Sequence, residues 1–264
     1  MIDLDLRSCE LCPRLCRVNR EEKPGACGCS ARLLAAKAAL HFGEEPCISG
    51  AEGSGTVFFS GCNLHCVFCQ NHKISRERYG RELRAERLAD IFRELEAKGA
   101  NNINLVTPTP WVTEIIKALE LYRPQIPVLY NTSGYERVEV LRALEGLVDV
   151  WLPDYKYADS ALAARFSGAA NYPEVARAAI REMYRQSGNL KLSDAGKAVS
   201  GVMIRHLVLP LHLKNSFAVL DEIAEEYGTE QYVSLMFQYT PFRKTRYPEL
   251  NRSLTARERA RAED

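Results

Sequence analysis

Residues 58–71 read FFSGCNLHCVFCQN. An apolar run that begins at Thr56 reaches Gly61, three cysteines follow within eight residues at Cys62, Cys66 and Cys69, and none of the 195 residues after Cys69 is a cysteine. A short apolar run closed by a turn residue reads as a buried strand. The loop after such a strand is where α/β folds keep their chemistry. The stretch therefore raises two linked questions, whether strands alternate with helices along the chain, and what three crowded thiols are for.

The same texture recurs downstream. Strand-like runs lie at 56–60 (TVFFS), 103–106 (INLV), 126–131 (IPVLYN), 148–154 (VDVWLPD), 202–210 (VMIRHLVLP) and 232–238 (YVSLMFQ), with helical patterns between them. Leu88, Ile91, Phe92 and Leu95 share one helical face, and Gly99 follows as a stop. Val112, Ile115, Ile116 and Leu119 repeat the pattern, with Thr109 placed to cap and Pro110 at the first helical position. Phe217, Leu220, Ile223 and Ala224 repeat it again before Gly228. Such alternation implies parallel strands joined by right-handed crossovers, and near-continuous apolar strands suit a barrel wall. Six strands fall short of a closed TIM barrel. The expectation is an α/β fold, a partial (β/α)6 TIM-type barrel over residues 51–264, preceded by a small Cys-rich N-terminal subdomain over residues 1–50.

Four segments fit less neatly. The Ala-rich run 31–42 reads equally as a short helix or a strand, and HFGEEPCISG (41–50) reads as an exposed turn carrying His41, Glu44 and Glu45. Residues 155–201 are expected to hold one helix, near 173–185, and then a polar excursion or flap. The charged C-terminal stretch 243–264 reads as a solvated helix.

With 35 basic and 34 acidic residues and a pI near 7.5, no global field draws nucleic acid or an anionic membrane. The acidic start and the lack of an 18-residue apolar run give no export signal or span, so a cytoplasmic protein is expected. Nine cysteines, an odd number, clustered as C-x3-C-x2-C and at Cys9, Cys12, Cys16 and Cys27, then argue for thiolate ligation of metal and against a disulfide framework. Cys29 and Cys47 read as small buried residues.

Three cysteines at C-x3-C-x2-C can ligate three irons of a cubane cluster and leave the fourth iron open to a cofactor or substrate. Zinc wants a fourth ligand, which only His65 or His72 offers nearby. Cys9, Cys12, Cys16 and Cys27 suffice for a second [4Fe–4S] cluster or for a zinc site, and the spacing does not choose. Polar residues at strand ends aim at the same mouth: Asn131, Ser133, Asp154, Lys156 and Gln238 are candidate cofactor or substrate contacts. Asp154 and Lys156 are costly at a buried strand end unless paired with each other or with a ligand. Arg205 and His206 are neighbours in an apolar strand, so one of them faces inward.

CNLHCVFCQN after an apolar strand resembles the signature of the radical S-adenosylmethionine (SAM) superfamily, with Phe68 in the aromatic slot before the last cysteine. Within it the chain is similar to the pyruvate formate-lyase activating enzyme group, and to an uncharacterised branch with an N-terminal CxLCPRxC. NTSGY (131–135), LPDYKY (152–157) and IRHLVLP (204–210) stand in order where that group has comparable runs.

The resemblance implies that Cys62, Cys66 and Cys69 hold a [4Fe–4S] cluster whose open iron chelates the amino and carboxylate groups of SAM. One electron, from a donor such as flavodoxin or ferredoxin, would split the sulfonium. The resulting 5′-deoxyadenosyl radical would abstract hydrogen from a small-molecule or peptide substrate, or from a glycyl-radical enzyme partner. Asp154 and Lys156 match a run that helps hold the methionine moiety, and Phe68 and Arg205 join the cofactor contacts. The chain departs from the group after its second strand, where Thr107-Pro108-Thr109-Pro110 stands in place of Gly-Gly-Glu-Pro. The amino group then falls to the Thr107 or Thr109 hydroxyl. A reading of another class, a non-catalytic iron–sulfur carrier or zinc-bound scaffold, has no need of Asn131, Asp154, Lys156 and Arg205.

Overall fold

The computed structural model describes residues 4–263, so the first three residues of the acidic start and Asp264 lie outside the described residues. Strand β1 (Leu33–His41) and the one-turn helix α1 (Pro46–Ser49) precede β2 (Ser54–Phe59). Then α2 (His72–Glu77), β3 (Arg81–Leu83) and α3 (Ala85–Ala97) lead to β4 (Ile103–Val106), α4 (Val112–Leu121) to β5 (Val128–Thr132), and α5 (Val138–Arg142) to β6 (Val150–Pro153). The second half holds α6 (Ser160–Ser167), α7 (Tyr172–Ser187), β7 (Lys191–Leu192), β8 (Ala198–Val202), β9 (Ile204–Leu207), α8 (Leu213–Tyr227), β10 (Val233–Met236) and α9 (Ala256–Glu263).

Each of the apolar runs read from the sequence contains a strand, and these strands pair in parallel. β2, β4, β5 and β6 are neighbours in that order, with Gly55 opposite Ile103, Ile103 opposite Val128 and Leu129 opposite Val150. β6 pairs next with β8, the chain passes through Met203 into β9, and β9 pairs in parallel with β10. One isolated bridge, Asp154 to Arg205, ties β6 to β9. The result is an α/β fold with a mainly parallel central sheet, the open half-barrel expected. None of the helices among the described residues is long and apolar enough to cross a membrane.

The Ala-rich run, which the sequence left open between helix and strand, is β1, antiparallel to β2 on one side and β3 on the other, because sheet pairing overrides the helix preference of alanine. Other flanking pieces depart from the sequence reading. The polar run after α7 forms the β7–β8 hairpin edge and is not a flap. A second helix, α6, was missed between 155 and 173; Asp159 caps it by accepting from the Ala161 and Leu162 amides. Thr109 does not cap α4: it opens a short 3-10 turn, and its hydroxyl donates instead to buried Glu136.

The stripe on α8 is also rotated from expectation, for Leu213, Ser216, Val219 and Ile223 are buried while Ala224 is exposed. Asn215 and Ser216 turn inward because they hydrogen-bond to Lys156 O and His206, so counting only apolar residues misplaced the face. On α3 the expected residues Leu88, Ile91, Phe92 and Leu95 do pack against the sheet, each contributing about 1.5–3 kcal/mol by burial. The C-terminal stretch ends in the expected helix, α9, at whose start Thr255 and Glu258 form a reciprocal capping box.

Segment 41–50 is not an exposed turn. Helix α1 plugs the half-barrel from below, with Ile48 fully buried beside Leu129, Val150, Leu152 and Met203. That plug carries Glu44 up into the barrel, within reach of Arg205 and Asn104.

Candidate active site at the mouth of the half-barrel

The carboxyl ends of the parallel strands converge on one cavity of about 210 Å³. Cys62, Cys66, Phe68 and Cys69 enter it from the β2–α2 loop, and Thr107 from the end of β4. Asn131 and Ser133 come from β5, Asp154 and Lys156 follow β6, and Arg205 and Gln238 come from β9 and the end of β10. Every mouth residue singled out from the sequence except Thr109 therefore lines the same space. A larger open groove of about 840 Å³ between α6, α8 and α9 has no thiol on its walls.

Each of the three sulfurs has one polar partner. The Leu64 amide donates to Cys62 Sγ at 3.4 Å, Ser167 Oγ to Cys66 Sγ at 3.1 Å, and Ser75 Oγ lies 3.4 Å from Cys69 Sγ. Burial pushes the Cys62 and Cys66 thiols up, the neighbouring sulfurs add to this, and the Lys156 ammonium opposes it. Cys62 and Cys66 held this way lose their protons readily only to a cation placed beside them. Neither His65 nor His72 lines the cavity; His72 is held by Arg243 at 2.8 Å and by Glu77. Among the described residues, no three Cys, His, Asp or Glu side chains already stand at coordinating distance around a common point, in this set or elsewhere.

Opposite the thiols runs a buried chain of charges. Lys156 Nζ donates to Asp154 Oδ2, and Arg205 donates to Asp154 Oδ1 at 3.2 Å, to Asn131 Oδ1 at 2.9 Å and to Glu44 Oε2 at 3.2 Å. Asn104 closes the chain on Glu44 at 3.3 Å. Burial alone would raise the Asp154 carboxyl, but the Lys156 and Arg205 charges outweigh it and hold it below the usual range. The inward residue of the Arg205–His206 pair is thus Arg205. His206 is fully buried on the other face, between Tyr155 O at 2.6 Å and Ser216 Oγ at 2.9 Å.

Sequence reasoning missed Glu44, Asn104, Ser75 and Ser167. Glu44 was visible only as one of two adjacent acids, and Ser167 sits on the helix that was not foreseen. Thr109 leaves the mouth altogether, whereas Thr107 lines it with φ at +58°, a left-handed conformation that a β-branched residue holds under strain.

Cys9, Cys12, Cys16 and Cys27 gather around a separate small cavity behind the cysteine loop. Cys29 is fully buried near them, and Cys47 packs half-buried under the barrel.

A family model described as the radical SAM superfamily matches residues 56–186. An uncharacterized protein of Methanocaldococcus jannaschii is 32% identical over 262 residues, covering 96% of this chain and 72% of its own length. The chain belongs to the radical SAM superfamily. Among solved structures, Streptococcus suis SuiB bound to S-adenosylmethionine superposes with a TM-score of 0.51 at 15% identity, over 76% of this chain and 43% of that one. A further SuiB structure gives 0.50 at 15%, over 76% and 42%. At that identity the likeness speaks for the fold, and this chain spans less than half the length of SuiB.

Radical SAM membership implies a [4Fe–4S] cluster and SAM, and the residues at the mouth fit that pair. The donor set is three thiols on one loop, which suits iron. Beside it Ser133 Oγ is buried without a hydrogen-bond partner, a polar group still to be satisfied at the cavity wall.

Proposed function

We propose that this radical SAM enzyme holds its cluster on Cys62, Cys66 and Cys69 and binds SAM across the mouth between those thiols and the Asp154–Lys156–Arg205 chain. When bound, the cluster and SAM supply one-electron cleavage of a sulfonium C–S bond and a radical able to abstract hydrogen. The observation that carries the reading is the meeting of the three thiols and the buried charge chain in one cavity. Lys156 and Asp154, tied together, offer a cation and an anion to the two charged ends of an amino-acid moiety. Ser133 Oγ and the Thr107 hydroxyl are polar groups on the same wall for its amino end. Phe68, edge-on to Phe166 and Tyr239, walls the thiols off from water. A non-catalytic carrier would leave the cost of this charge chain unexplained.

A finer reading, an activating enzyme acting on a glycyl-radical partner, has the order of NTSGY, LPDYKY and IRHLVLP behind it. Against it stands Thr107-Pro108-Thr109-Pro110 where that group has Gly-Gly-Glu-Pro. Hydrogen abstraction from a small-molecule or peptide substrate is therefore the preferred reading.

The test is SAM cleavage by anaerobically reconstituted, reduced protein. 5′-Deoxyadenosine and methionine are expected, with both lost in Cys66→Ala. Undiminished turnover in that variant would overturn the assignment.

A further inference from the structure

The N-terminal segment holds four thiols in a region nearly without regular structure. Cys9, Cys12 and Cys27 are at least nine-tenths buried, and together with Cys16 they face one small enclosed cavity. The backbone is folded around them in tight turns: Cys9 N donates to Val18 O, Arg17 N to Cys9 O and Leu15 N to Cys12 O, each at 3.0 Å. Leu15 and Arg17, on either side of Cys16, both take left-handed conformations with φ at +42° and +52°. Gly25 lies so close that a Cβ there would sit 3.4 Å from Cys16 Sγ and 3.6 Å from Cys27 Sγ.

Arg20 lines the same cavity and is 1% exposed. It donates to Ser30 O and to Pro110 O, stacks 5.1 Å over Trp111, and brings Nη1 to 3.9 Å from Cys9 Sγ. Among the described residues no carboxylate pairs with it. A guanidinium cannot shed its proton, and a buried charge without a counter-charge costs several kcal/mol. A metal bound by four thiolates would answer that charge, because four thiolates outweigh the charge of a divalent ion and leave the centre anionic beside the guanidinium. We propose that Cys9, Cys12, Cys16 and Cys27 form a second, tetrathiolate metal centre, with Arg20 as its buried counter-charge.

The centre backs onto the mouth without sharing ligands with it. Cys62 N donates to Cys27 O at 3.4 Å, and Asn63, the residue after Cys62, lines the second cavity. Arg14 fastens the same segment by donating to Asn63 O at 2.8 Å. A metal there would therefore brace the backbone from which Cys62 projects.

The experiment uses the full chain with Cys62, Cys66 and Cys69 all replaced by alanine, reconstituted anaerobically with iron and sulfide or with zinc. The result expected is about one zinc, or about four iron with four sulfide, per chain, with iron or zinc content naming the metal. That metal should be lost when Cys12→Ala and Cys27→Ala are added. A triple variant that binds neither metal above the level of the five-fold variant overturns the proposal. Alkylation provides a readout that does not depend on the folding of the five-fold variant. In the triple variant Cys16, the most accessible of the four, should be labelled only after metal is stripped, and equal labelling before and after stripping also overturns it. Because the mouth thiols are already absent, the outcome is separate from the fate of the SAM reading.

Discussion

Arg205 Nε donates to Asp154 Oδ1 at 3.2 Å, at the single backbone bridge that joins β6 to β9. The same guanidinium reaches Glu44, which arrives from the plug beneath the barrel. One cation thus lies between two carboxylates, with side chains only 11–16% exposed. Arg205→Met should cost about 3–5 kcal/mol of stability, because Glu44 is left without its cation and Asp154 keeps only Lys156 in a poorly solvated place. Adding Glu44→Gln to that variant should recover part of the loss, since it removes one uncompensated charge. Thermal and denaturant unfolding of the single and double variants check this, and additive losses would show that the three groups do not act as one network.

The strands and the mouth were legible because apolar runs and βα loops are local signals, and Cys62, Asp154 and Lys156 each sit in a short recognisable run. Glu44 was not legible, for nothing in HFGEEPCISG says that Pro46–Ser49 will turn under the sheet and bury Ile48. Its neighbours Leu129 and Met203 are far away along the chain, so only the assembled barrel turns an exposed-looking acid into a partner of Arg205. The stripe on α8 failed for a related reason, because Ser216 is buried by its bond to His206 and hydrophobicity carries no sign of that. At the N-terminus the thiols were visible, whereas the buried charge of Arg20 appears only once Pro110 and Trp111 close over it.

His206 makes acid stability depend on one ring. Tyr155 O can only accept, so Nδ1 carries the proton and Nε2 accepts from the Ser216 hydroxyl in the neutral tautomer. Burial pushes the ring down from 6.5 to about 4. The unfolded chain therefore binds a proton near pH 6.5 that the folded chain refuses until about pH 4. The stabilisation is complete above pH 6.5 and is lost as the pH falls through this window, by about 3 kcal/mol in all. His206→Gln should be less stable than the parent at pH 8 yet show a flatter stability profile between pH 7 and pH 4. Equal slopes for the two proteins, measured by urea unfolding across that range, would refute the role.

Thr107 combines strain with a place at the mouth. A β-branched residue at φ +58° costs about 1–3 kcal/mol that glycine does not incur. Glycine gives back up to about 1 kcal/mol through the greater entropy of its unfolded chain. Thr107→Gly is therefore expected to unfold about 1 kcal/mol later than the parent and to bind SAM more weakly, since the hydroxyl assigned to the amino end is gone. A rise in melting temperature with undiminished SAM affinity, read by calorimetric titration of the reconstituted protein, would leave the strain without a function.

Ser167 gives the sharpest test of how the protein tunes the thiol loop. Its hydroxyl is fully buried, takes Cys66 Sγ at 3.1 Å and is itself only 2.8 Å from the Tyr157 hydroxyl. A donor to a ligating sulfur stabilises the more negative, reduced state of a cluster over the oxidised one. Removing a hydrogen bond of about 1 kcal/mol corresponds to about 40 mV for one electron, so Ser167→Ala should lower the reduction potential by that order. Tyr157→Phe should act in the same direction but less strongly, because it loosens the serine without removing it. An EPR-monitored redox titration of reconstituted protein, with iron and sulfide content matched between variants, reads the shift directly. A potential unmoved in Ser167→Ala would mean that the hydroxyl only packs against Cys66.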